Sequence, residues 1–147
     1  MVEVIFLKIL CFANSKTSIS SELKSNSGEL FKTLVKLYLY PNHVSVNHWK
    51  QEIAAFLNKV PRTKGNKKFP NKHFILKNTW EIYEDAISNM IEPIIEDYGD
   101  TVVMIDVDDL YEKCEAYFNW IAGELSSNGF VSHKRIYNKL DSIFNLT

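Results

Sequence analysis

The amino-acid sequence predicts an all-α fold, a compact bundle of about five or six helices in a single domain over residues 1–147. The chain has the length of one ordinary domain, and its composition, 46% hydrophobic and 24% charged, is that of a globular protein. Only five Gly and four Pro are present, which argues against a loop-rich β-sandwich. Apolar residues also recur at steps of three and four, the spacing of a helix with one buried side.

The chain begins with an apolar stretch. A secretory signal carries positive charge ahead of its apolar run, but Glu3 stands there, and Lys8 interrupts the run. The run is also too short to cross a bilayer. We therefore expect residues 2–13 to form a buried helix or strand of a cytoplasmic protein, without membrane insertion. Residues 14–27, rich in Ser, Asn and Lys, are expected to form a polar connection, with or without one helical turn.

Two helices with clear end signals are predicted next. Asn26, followed by Glu29 three residues later, is typical of a helix start, and Pro41 ends that helix. Ser45 is a suitable cap for the second helix, which Pro61 ends. The inward-facing residues predicted for this pair are Leu30, Phe31, Leu34, Val35, Leu37, Tyr38, Trp49, Ile53, Phe56, Leu57 and Val60.

The longest helix is predicted over residues 77–98. Pro93 lies inside it, so we expect a kink or break about one turn earlier, and Gly99 fits the left-handed position that often closes a helix. Residues 101–105 are predicted to form a short extended piece or part of a linker. The inward face predicted for this helix comprises Trp80, Tyr83, Ile87, Ile91, Ile94 and Tyr98.

Two further helices complete the predicted bundle. Asp106 or Asp108 caps the first of them, Asn128 and Gly129 mark the turn that follows, and Ser132 caps the last helix. Their predicted inward residues are Leu110, Cys114, Tyr117, Phe118, Ile121, Leu125, Ile136, Leu140, Ile143 and Phe144.

The charges are separated along the chain, although the net charge is only −1. Residues 1–80 carry 13 basic and 4 acidic side chains, whereas residues 81–147 carry 4 basic and 14 acidic ones. Between Glu81 and Glu124 there are 13 acids and a single base, Lys113. This layout has two interpretations: the two halves neutralise each other within a monomer or oligomer, or the acidic half binds a basic partner.

The acidic half supplies the candidate binding residues. At about 100° per residue, Glu81, Asp85, Glu92 and Glu96 fall in a narrow stripe. Like charges one turn apart repel, so stability alone does not favour this arrangement. Trp120 lies off the apolar face of its helix, where another helix covers it or a partner contacts it. The candidate partner-binding residues are Glu81, Asp85, Glu92, Glu96, Asp106, Asp108, Asp109, Glu112, Glu115 and Trp120.

Catalytic and cofactor motifs are absent from the sequence. There is no phosphate-binding glycine loop, no Gly-x-Ser-x-Gly turn and no His-Glu-x-x-His pair. The two cysteines, Cys11 and Cys114, are too few for a disulfide scaffold or a zinc site and fit reduced thiols. We therefore expect no enzyme activity, no metal site and no cofactor.

A basic loop offers an alternative function. Residues 62–72 carry Arg62 and several lysines, and such a segment can grip a phosphate backbone in a nucleic-acid-binding regulator. The acidic half opposes nucleic acid at longer range, so a protein partner is the first expectation.

With this acidic helical surface the chain resembles the small helical immunity proteins that bacteria encode beside secreted or contact-delivered toxins. The resemblance is one of type, carried by the acids between Glu81 and Glu115, and not by a shared motif. Such proteins are small, cytosolic and non-catalytic, and many are acidic where they bind the toxin. The resemblance implies a protein that neutralises a cognate basic toxin, for example a nuclease, by covering its active cleft.

Overall fold

The computed structural model describes residues 17–59, 80–81 and 84–146, and it places side chains for residues 28–57, 80–81 and 84–146. All regular structure in this part of the chain is helical, which confirms the predicted all-α class. The elements are α1 (Thr17–Leu39), α2 (Val46–Lys59), a 3₁₀ helix (Glu84–Ala86), α3 (Ile87–Tyr98), α4 (Val107–Asn128) and α5 (His133–Phe144). The predicted elements at 2–13 and 62–72 lie outside the described residues.

Helix α1 begins earlier than predicted. It starts at Thr17, so the predicted start at Asn26 is wrong, and residues 17–27 are helical where a polar connection was predicted. A helix already formed by the apolar residues further along extends at little cost, because each added residue gains a hydrogen bond without a new nucleus. Serine and asparagine lower helix propensity by only about half a kcal/mol each, which such an extension tolerates.

The predicted long helix over residues 77–98 is interrupted. Trp80 and Glu81 are helical, but Glu84–Ala86 form a 3₁₀ turn before α3 starts. The break therefore lies further upstream than predicted, and α3 runs continuously through Pro93. Pro93 and Asn89, one turn before it, are both exposed, so the carbonyl that lacks an amide partner lies on the solvent side of the helix.

The other helix ends lie where local chemistry predicts them. Helix α1 stops two residues before Pro41. Asp106 is the N-cap of α4, Gly129 closes that helix in the left-handed conformation, and the Ser132 hydroxyl caps α5 by accepting from the Arg135 amide. These bonds satisfy backbone groups that have no partner inside the helix.

Helix α1 lies at the centre of the bundle and packs against α2, α3 and α4, while α5 packs against α2 and α4. Phe31 is fully buried at this centre, with its ring stacked on Phe118 and Trp80 at centroid separations of 4.9 and 6.0 Å. Of the predicted inward residues that the structure describes, Tyr38, Tyr98 and Ile143 are the ones not fully buried. The remaining predicted residues form the core, so the described helices are held together by one continuous apolar cluster.

Candidate partner-binding surface

The four candidate acids before and within α3 are exposed. Glu81 is helical, Asp85 lies in the 3₁₀ turn, and Glu92 and Glu96 lie on α3. Because the 3₁₀ turn Glu84–Ala86 lies between Glu81 and α3, the four carboxylates occupy three successive segments. Each remains exposed, so the surface is acidic.

Glu96 and Asp97 stand in the last turn of α3, a turn that contains no basic residue. The C-terminal end of a helix carries partial negative charge, so carboxylates there are unfavourable by roughly 0.3–1 kcal/mol each. Glu92 adds repulsion, since it lies four residues before Glu96. Lys36 of α1 approaches this end with its Nζ 5.2 Å from the centre of the Tyr98 ring, as a cation–π contact and not as an ion pair. The carboxylates at this end of α3 therefore do not stabilise the fold.

The acids at the start of α4 do stabilise the fold. The Asp106 carboxylate accepts from the amides of Asp108 and Asp109 at 3.1 and 3.2 Å. All three acids lie at the positive end of the helix, where negative charge is favourable. Asp109 also lies 4.0 Å from Lys113. Asp106 and Asp108 nevertheless remain exposed, so they contribute to the acidic surface as well.

Further along α4 the candidate residues become more covered. Glu112 is exposed and Glu115 is partly covered. Trp120 is half-buried against the core, 6.4 Å from the Tyr117 ring, and the Lys139 Nζ of α5 lies 5.8 Å from its centre. Trp120 thus sits at the edge of the α4–α5 contact, with only part of its ring open to a partner.

Ion pairs among the described residues leave most of the candidate acids unpaired. Lys50 joins the two halves of the chain through Asp141 at 2.7 Å, and Arg135 contacts Glu124 with two hydrogen bonds of 2.7 and 2.8 Å. Apart from Asp109, no candidate acid is in an ion pair with a described base. Within the part of the chain that the structure describes, the basic half therefore does not neutralise the α3–α4 surface.

The connection between α3 and α4, residues 99–106, is fastened to the end of α1. The Thr101 hydroxyl donates to the Leu39 carbonyl and accepts from the Val103 amide. The Tyr40 hydroxyl donates to the Gly99 carbonyl. The Tyr38 hydroxyl donates to the carbonyl of Asp106 and accepts from its amide, both at 3.2 Å. We call these residues, 99–106, the anchored loop.

The anchored loop presents apolar side chains to solvent. Val102 is 93% exposed and Met104 is 90% exposed, with Ile105 and Val107 partly exposed beside them. Sequence reasoning treated residues 101–105 as an extended piece or linker and missed this patch. The sequence signal for it was a run of four apolar residues, 102–105, that lacks helical spacing and lies between Thr101 and Asp106.

The described residues contain no group of three or more metal-ligating side chains close enough to hold an ion. No helix in the described part of the chain is long and apolar enough to span a membrane. The comparisons add no relative, since no protein-family model, curated protein or solved structure matches this chain.

Proposed function

We propose that this chain is a non-catalytic protein-binding module of the bacterial cytoplasm that neutralises a cognate basic toxin by covering its active cleft. A nuclease is the favoured toxin class, because the cleft of such an enzyme is basic to hold phosphate, and fixed carboxylates can occupy it in place of nucleic acid. The observation that carries the proposal is the set of exposed carboxylates on α3 and α4 that described bases leave unpaired.

The energetic cost of these carboxylates supports a binding role. Glu92 and Glu96 repel each other, and Glu96 opposes the partial charge at the end of α3. A basic partner removes both penalties when it binds, since its cations neutralise the helix end. Complementary potentials of this kind raise association rates and exclude wrong partners.

Reversal of charge tests the acidic surface. After purification of the complex from the native host identifies the partner, its association rate is measured with the double variant Glu92→Lys/Glu96→Lys. We expect the rate to fall by about tenfold at low salt and the difference to shrink as salt rises. Glu29→Lys/Glu52→Lys is the matched control, with the same charge change at exposed positions on α1 and α2. Equal rates for the wild type and the Glu92/Glu96 variant at low salt would remove this surface as the contact.

A growth assay tests the neutralising role. The partner is expressed alone and together with this chain in a bacterial host. Arrest by the partner alone and growth with both proteins is the expected result. A partner that is harmless when expressed alone would refute toxin neutralisation.

A further inference from the structure

The exposed apolar side chains of the anchored loop have no role inside the described fold. Val102 and Met104 are almost completely exposed, at 93% and 90%. Single exposed apolar residues are common on protein surfaces, but a run of four consecutive apolar residues in an exposed connection is unusual without a function. Residues 102–105 form such a run.

Hydrogen bonds hold the backbone that carries these side chains in place. The two ends of the loop are bonded by Tyr38 of α1, at Asp106, and by Tyr40, directly after α1, at Gly99. Thr101 bonds the carbonyl of Leu39, the last residue of α1. A surface that is ordered before binding loses less conformational entropy when a partner arrives. Val102 and Met104 are therefore exposed on a loop whose backbone is already ordered before a partner binds.

Exposed carboxylates flank these apolar residues along the chain and select the kind of partner. Glu96 and Asp97 precede the loop, Asp100 and Asp106 lie within it, and Asp108 follows it; all five are exposed. A second copy of the chain docked symmetrically here brings the same acids against one another, which is unfavourable. The charge favours a protein whose surface is apolar at the centre and basic at the rim.

We infer that Val102 and Met104 are the central apolar anchors of the contact, and that they enter an apolar pocket on the partner that is bordered by Lys and Arg. This inference rests on the proposed protein-binding function but not on the partner being a toxin. Buried apolar anchors inside a charged rim are the usual arrangement of strong binding contacts, and methionine adapts well to such pockets.

A synthetic peptide of about 14 residues that forms an amphipathic helix of Leu and Lys serves as the probe. Its affinity is measured by fluorescence anisotropy for the full chain and for Val102→Ser/Met104→Ser. A Ser/Lys peptide of equal charge and a Leu/Glu peptide of opposite charge separate the apolar from the electrostatic contribution. Phe130→Ser is the matched control: Phe130 is 70% exposed but follows the opposite end of the 22-residue helix α4, about 33 Å away.

The double serine variant is expected to bind the Leu/Lys peptide at least about tenfold more weakly, near the affinity of the Ser/Lys peptide, whereas Phe130→Ser changes it less than about twofold. Thermal melting checks that both variants remain folded. If the double serine variant is unfolded, Val102→Thr/Met104→Gln replaces it. An equal loss with Phe130→Ser, equally tight binding of the Leu/Glu peptide, or dimers that these substitutions abolish would overturn the inference. Peptide binding through the loop without growth protection would leave this inference standing and refute the toxin proposal.

Discussion

The Tyr38 hydroxyl in α1 forms two hydrogen bonds with the backbone of Asp106, 68 residues further along the chain. It donates to the carbonyl of that residue and accepts from its amide, each at 3.2 Å. Asp106 is also the N-cap of α4, so a single tyrosine fixes the end of the anchored loop and the start of the next helix. The binding surface and the packing of the bundle are therefore coupled through this contact.

Replacement of Tyr38 by Phe tests that coupling. Loss of both hydrogen bonds is expected to lower the free energy of unfolding by about 1–2 kcal/mol. The Asp106 amide is expected to exchange its hydrogen faster, because the bond to the tyrosine oxygen is gone. Tyr137→Phe is the control, since no described residue bonds that hydroxyl. Unchanged exchange at Asp106 in Tyr38→Phe would show that the loop is held without this contact.

Substitution by alanine is expected to change the free energy of unfolding in opposite directions at two glycines. Gly99 has φ +93° and ψ 179°, so it has the positive φ expected of a closing glycine but not the left-handed helical ψ. That conformation is almost restricted to glycine, so Gly99→Ala is expected to cost about 1–3 kcal/mol although the added Cβ meets no atom within 4 Å. Gly123 lies within α4 and is equally unobstructed, so Gly123→Ala is expected to stabilise by about 1 kcal/mol. Urea unfolding measures both, and destabilisation by Gly123→Ala would contradict this account.

Helix boundaries were predictable from sequence wherever a side chain acts on its own neighbourhood. Pro41 lacks an amide hydrogen, Asp106 and Ser132 bond amides two or three residues away, and Gly129 adopts a conformation that other residues avoid. Each effect is local, so the residue type alone predicts it. The start of α1 at Thr17 was not predictable in this way, because propagation from an apolar segment overrides weak local preferences.

The candidate site was only partly predictable, for a related reason. The excess of acids is a property of the sequence, and their exposure follows from their charge. The anchored loop depends on bonds between Tyr38 and Asp106, Tyr40 and Gly99, and Thr101 and Leu39, which join residues about 60 positions apart. Such contacts follow only from the way α1 packs against α3 and α4, so the loop could not be distinguished from an ordinary linker.

Removal of a charge at the two helix ends beside the loop is expected to change stability in opposite directions. Glu96→Gln removes a carboxylate from the negative end of α3 and should stabilise the chain by about 0.3–1 kcal/mol. Asp108→Asn removes one from the positive end of α4 and should destabilise it by a similar amount. Both differences should shrink as salt rises. If both substitutions changed the free energy of unfolding in urea with the same sign, the partial charges at the helix ends would not be the cause of these effects.

The rate at which the Cys114 thiol is labelled tests whether the core is packed as described. Cys114 is fully buried, and burial raises the pKa of its thiol from 9.0 to about 12. A thiol is reactive only as the thiolate, so iodoacetamide at about pH 8 should label Cys114 no faster than the chain opens. Peptide mapping by mass spectrometry follows Cys114 separately from Cys11, and the guanidinium-unfolded chain gives the rate for the free thiol. Native labelling at that same rate would contradict the packing around α4.

Tyr111 gives the chain a defined alkaline sensitivity. Burial, together with the hydrogen bond that its hydroxyl donates to Glu84 Oε2 at 3.0 Å, raises its pKa from 10.0 to about 12. Below pH 10 both folded and unfolded chains keep this proton, and the contribution to stability is complete. Between pH 10 and about 12 the unfolded chain loses the proton while the folded chain retains it, so the free energy of unfolding falls as pH rises.

Tyr111→Phe is expected to reduce the slope of stability against pH in this window by up to about one proton, while at neutral pH it costs about 1 kcal/mol for the lost hydrogen bond. The buried Cys114 thiol, whose pKa is also raised, leaves part of the slope in place. Urea unfolding of the wild type and of Tyr111→Phe at a series of alkaline pH values measures the change. An unchanged slope in Tyr111→Phe would show that the contact between Glu84 and Tyr111 is not its source.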